Sequence, residues 1–143
     1  MGTIGVGVSK PSQANKPSAH SSLTINEAKA KFRKIFPSSY YKLFSVANTN
    51  SMEPFIDANT IVAAERLNVK TLTKQQLTVG DICIYTRRDG THILHRISQC
   101  NHKDGVYRFK GDNNFYSDGW VPLSSINYRF VAQIQTLQQL EGD

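Results

Sequence analysis

Long hydrophobic runs are missing from this sequence. No stretch of ~18 or more consecutive apolar residues occurs in its 143 residues, so no transmembrane helix is expected. The N-terminus also lacks the apolar centre of a secretory signal peptide. Val6 stands where a myristoylation site needs Ser or Thr. Cysteine is scarce: Cys83 and Cys100 each lie in or at the end of an apolar run and read as buried free thiols, not as a disulfide scaffold. No Cys-x-x-Cys or Cys/His spacing marks a metal site, and no cofactor is expected. Acidic residues are outnumbered, 11 against 17 Lys and Arg, which leaves a net charge of +6. The basic residues are scattered and come without a nucleic-acid-binding motif. General charge alone would draw nucleic acid, and an acidic protein surface would answer it equally well. The expectation is a soluble chain, cytoplasmic or virion-associated.

Apolar residues make up 39% of the chain, enough for one domain at this length. Large apolar residues are nearly absent from residues 1–23, which are rich in Gly, Ser, Pro, Asn and Lys. Such a segment cannot bury a core. It reads as a flexible tail that orders by docking on another protein. Residues 24–37 read as an amphipathic basic helix: Thr24 and Glu27 form a capping-box pattern, Ala28, Phe32, Ile35 and Phe36 make an apolar stripe, and Pro37 ends it.

From residue 38 to 137 the pattern changes to short strands and turns. Strands are expected over residues 40–46, 60–66, 81–87, 91–98, 106–110 and 130–137, with a loop or short helix over 68–79. Arg88-Asp89-Gly90 marks a hairpin. Val131, Ile134 and Leu137 are the expected core contacts of the closing strand, and residues 138–143 form a polar tail. The fold class is mostly β (α+β): one compact β-rich domain preceded by one helix.

The chemistry centres on Asn50-Ser51-Met52-Glu53-Pro54. Pro54 fixes its own φ and biases Glu53 towards an extended conformation, which holds Ser51 in place. His95 lies within a strand, and Asp118 follows a Gly111-Asp112-Asn113-Asn114 turn. A held serine, a strand histidine and a downstream aspartate are the members of a Ser-His-Asp triad, which is recognised by role and geometry rather than chain order. Taken singly, each has a plainer reading as a loop serine, a core histidine or a turn former. Arg96 points away from His95 by strand alternation and is expected to pair structurally. Other candidate bases are His92, His20, His102 and Lys110.

Four stretches together carry a resemblance: Ser51-Met52-Glu53-Pro54, Gly80-Asp81-Ile82-Cys83-Ile84-Tyr85, Ile93-Leu94-His95-Arg96-Ile97, and Lys110-Gly111-Asp112-Asn113-Asn114 with Asp118. In this order, over residues 44–136, they resemble the signal peptidases of the eukaryotic, archaeal and spore-forming type, which use His where common bacterial enzymes use Lys. The resemblance implies Ser51 as nucleophile, His95 as base, and Asp118 as the residue that orients it, with Asp112 as the rival for that role. It implies an oxyanion hole from the Ser51 N–H and Thr49, and shallow apolar substrate pockets formed by Ile56, Ile82, Ile84 and Leu94. Asn50 stands where that family has Gly, and the membrane anchor of that family is missing.

Two functions follow as expectations. One is a soluble serine endopeptidase that cuts an extended protein segment, for instance in maturation of a phage or another assembly. The other is a structural or binding module of a larger assembly that keeps the fold. A self-cleaving repressor fits less well: residues 1–36 are too short for a helix-turn-helix domain, and no Lys replaces His95.

Overall fold

The computed structural model describes residues 2–4, 9–10 and 22–137. The strand β1 spans Gly2–Ile4, the helix α1 Ile25–Ile35, β2 Tyr41–Val46 and β3 Thr60–Arg66. The short helix α2 spans Val69–Lys74, and β4 and β5 span Ile82–Thr86 and His92–Asn101. Then come β6 Val106–Lys110, β7 Gly119–Pro122, a single 3-10 turn, and β8 Ile126–Gln135. The strands form one sheet in the order β1-β2-β3-β8-β4-β5-β6-β7, antiparallel throughout except for β1 on β2. The described residues are mostly β, with two α-helices.

Helix α1 starts where its sequence directs. The Thr24 hydroxyl accepts from the Glu27 N–H at 3.1 Å, and the Glu27 carboxylate accepts from the Thr24 N–H at 3.1 Å. These bonds satisfy two donors that a helix start otherwise leaves bare, and they hold the Glu27 pKa below its ordinary value. Ala28 and Phe32 are buried against Leu43, Ile61 and Ala63, so the helix covers one face of β2 and β3. Farther along that face lies a second cluster, with Cys83, Tyr85, Ile93, Ile97, Tyr107 and Phe109. The opposite face carries Phe44, Val62, Ala64, Ile82, Ile84 and Leu94, covered by Met52 and Ile56 from the β2–β3 connection.

Three expectations are corrected. The closing strand begins at Ile126, not at residue 130, because the residues after the 3-10 turn already pair with β4. Of its expected core contacts, Ile134 packs under α1, whereas Val131 and Leu137 are 38% and 55% exposed. Arg129 takes an interior place instead: it is 5% exposed and donates to Gln75 O at 2.8 Å and to the Glu65 carboxylate at 3.2 Å. Finally, part of the N-terminal tail docks on its own domain, at Gly2–Ile4 and at Ser9 and Lys10. The rest of that tail and residues 138–143 lie outside the described residues.

Phe44 is fully buried, with its ring edge-on to Tyr128 at 5.1 Å. Phe44→Ala should cost about 3–5 kcal/mol in urea unfolding, whereas Val131→Ala should stay within about 0.5 kcal/mol. Equal losses would mean that the core has been misplaced.

Candidate active site

The β4–β5 hairpin sets the site. The Arg87 N–H donates to Thr91 O at 2.9 Å and the Gly90 N–H to Arg87 O at 2.9 Å. Gly90 has φ 87°, a left-handed conformation that glycine adopts without steric cost. The turn places Cys83 opposite His95 and Tyr85 opposite Ile93. Alternation then puts Cys83, Tyr85, Ile93 and His95 on one face, and Ile82, Ile84, Leu94 and Arg96 on the other.

His95 is 1% exposed. A carboxylate only accepts, so the His95 Nδ1–H donates to Asp118 Oδ2. The Tyr85 hydroxyl donates to that same oxygen at 2.7 Å. Asp118 is anchored through its own backbone, whose N–H donates to Phe109 O at 2.7 Å. Burial pushes the Tyr85 phenol pKa up, and the bond to Asp118 adds to the rise. Burial likewise raises the pKa of the Cys83 thiol. His95 Nε2 is buried and has no hydrogen-bond partner among the described residues.

On the other face, the Arg96 Nε and Nη2 donate to the two oxygens of Asp112 at 2.9 and 2.8 Å, and Nη1 donates to Gly80 O at 3.0 Å. The guanidinium also lies over the Phe55 ring, 5.3 Å from its centre. The fork-to-carboxylate bonds raise the Arg96 pKa. The two aspartates therefore have separate tasks. Asp118 faces His95, while Asp112 fixes Arg96 and with it the loop.

Ser51 sits in a run of turns: the Glu53 N–H donates to Asn50 O at 3.3 Å and the Ile56 N–H to Met52 O at 2.9 Å. Glu53 lies within this run of turns, and its peptide bond to the exposed Pro54 is cis. Asn50 has φ 63°, a conformation that Gly or Asn tolerates best, so Asn can stand where the resembled family has Gly. Ser51 is 4% exposed, and its Oγ accepts from the Thr49 hydroxyl at 3.2 Å. Its carbonyl accepts from the Asn113 N–H at 2.9 Å. A Cβ at Gly111 would lie 2.7 Å from that carbonyl oxygen, so only glycine allows the two loops to approach this closely.

The sheet thus curls until the β2–β3 connection meets the residues after β6. It brings His95 to Asp118, Ser51 to Thr49, and Arg96 to Asp112. It does not hydrogen-bond Ser51 to His95. Thr49, expected to face an oxyanion, donates to Ser51 Oγ instead. Ile56, Ile82, Ile84 and Leu94 are core residues, at most 5% exposed, rather than walls of an open pocket. Ile56 and Leu94 also border a crevice of ≈ 10 Å³ beside Ser51, with room for about one water.

The other candidate bases lie elsewhere. His92 contacts the Thr86 hydroxyl at 3.2 Å, His102 contacts Leu77 O at 2.7 Å, and Lys110 donates to Gly111 O at 3.1 Å. His20 falls outside the described residues. Among the described residues, no group of three or more His, Cys, Asp or Glu is placed to hold a metal. Sequence reasoning missed the roles of Tyr85 and Asn113. Tyr85 was legible in principle, because it alternates with Cys83 and the hairpin turn sets Cys83 opposite His95. Asn113 acts through its backbone, which leaves no mark in the sequence.

Gly111→Ala should destabilise the protein by about 1–3 kcal/mol, because the added methyl would meet the buried Asn114 amide at 2.6 Å and the Ser51 carbonyl oxygen at 2.7 Å, and the latter is backbone that cannot swing aside. Thermal unfolding checks this, and an unchanged midpoint would show that the two loops part without cost. No protein-family model, curated protein or solved structure matches this chain, so no family is assigned to it.

Proposed function

We propose that this protein is a serine endopeptidase of signal-peptidase-like type that cuts an extended protein segment, as in maturation of a phage or another assembly. One observation carries the reading. His95 is buried, its Nδ1 engages Asp118, and its Nε2 is left without a partner among the described residues. A core histidine kept only for packing has no need of a buried unpartnered nitrogen, which costs free energy. A general base needs that nitrogen.

In the proposed reaction, the Ser51 hydroxyl turns from Thr49 towards His95 Nε2. Catalytic hydrogen bonds are often unformed before substrate binds. His95 takes the hydroxyl proton as Ser51 Oγ attacks the peptide carbonyl carbon. Asp118 stabilises the imidazolium that forms. The Ser51 N–H, and Thr49 once released, would face the developing oxyanion. His95 then protonates the leaving amine, and water hydrolyses the acyl-enzyme with His95 again as base.

The second reading is a structural or binding module. The bond between Thr49 and Ser51 Oγ, together with the burial of Ser51, favours it. The readings separate by mutation. Ser51→Ala should abolish cleavage of an extended-peptide library, scored by mass spectrometry, and keep the fold. Asp118→Asn should slow cleavage by about 10³–10⁴-fold. If the library stays intact both with wild-type protein and with a chain whose N-terminal segment no longer pairs, or Ser51→Ala still cuts it, the peptidase reading fails.

A further inference from the structure

We propose that the edge of the site binds an extended peptide through main-chain hydrogen bonds, and that the chain's own N-terminal segment is its resident occupant. The segment grips the domain at two places. Gly2, Thr3 and Ile4 pair in parallel with Phe44, Ser45 and Val46, on the strand that leads into the Ser51 turns. Ser9 forms an antiparallel bridge with Asn114. The Lys10 N–H donates to Asn113 O at 2.8 Å, and the Asn113 Nδ2 donates to Lys10 O at 3.3 Å. Asn113 is the residue whose N–H holds the Ser51 carbonyl. The segment is therefore fastened to the strand that leads into the Ser51 turns and to the loop that holds the Ser51 carbonyl.

These bonds set the class of ligand. Main-chain pairing on a strand edge accepts an extended segment of varied sequence, as in strand-addition recognition generally. Only two features read side chains. Ser9 Oγ is buried and has no partner among the described residues, and its burial favours a small residue there. Lys10 lies over the Phe115 ring, 5.4 Å from its centre, so a cation is favoured next. A tethered occupant competes at high effective concentration and must leave before another segment can bind. The docking stands independently of the catalytic reading, but its role as an inhibitor of cleavage rests on that reading.

The test uses the full chain. The double variant Ile4→Pro with Lys10→Pro breaks the pairing and removes the donor to Asn113, while Lys10→Ala keeps that donor and serves as control. The probe is a fluorescent synthetic peptide of residues 1–12, followed by anisotropy. The double variant should bind it about tenfold or more tightly than wild type, with Lys10→Ala close to wild type. Equal affinities would overturn the proposal. Amide exchange of the wild-type chain gives a check that does not depend on variants folding. The Lys10 N–H should be protected, and exchange at the free-peptide rate would also overturn the proposal. Tighter binding with no cleavage by either chain would remove the peptidase reading and leave the docking intact.

Discussion

A histidine with almost no exposed surface is the constraint around which this fold is arranged. An imidazole taken out of water needs its polar atoms answered. Asp118 answers Nδ1 from the rim of the site, and a second donor holds its carboxylate in place. Tyr85 supplies that donor from the neighbouring strand. The Asp118 backbone bond to Phe109 holds the loop that carries the carboxylate. Removing Asp118 would leave both the buried His95 Nδ1 and the Tyr85 hydroxyl without this acceptor. The hairpin, the end of β6 and the following loop are thus tied together by one polar cluster inside an apolar face.

The opposite face of the same strand serves a mechanical purpose. Arg96 engages both oxygens of Asp112 and stacks on Phe55. It thereby holds the β6–β7 loop on one side and the Ser51 turns on the other. Between them, Gly111 lets the Ser51 carbonyl approach closely enough to meet Asn113. The two ends of a curled sheet are brought together without a closed barrel, and the N-terminal segment reaches both.

Much of this was legible in the residues. Strand alternation separated His95 from Arg96, and the capping box located the helix start. The residues beyond the Gly-Asp-Asn-Asn turn offered both aspartates, but only three-dimensional placement divides their tasks. What could not be read has physical causes. Val131 and Leu137 look like core residues because hydrophobicity marks a residue that can be buried, not one that is. Strand β1 lies in a segment too polar to form a core, and its pairing uses backbone groups that every residue carries. Strand β7 is four residues long and holds one buried apolar side chain, Val121, too little for a periodic signal.

The turn at residues 87–91 has a consequence for how this chain can vary. It decides which side chain of β5 faces Asp118. A slip of one residue between β4 and β5 would exchange His95 for Arg96 on that face. A guanidinium would then meet the carboxylate, and the imidazole would be replaced by a permanent cation. The sheet would keep its hydrogen bonds while its chemistry disappeared. Gains or losses of single residues in this hairpin are therefore far more consequential than substitutions there, although nothing in the hairpin tip marks it as part of the site.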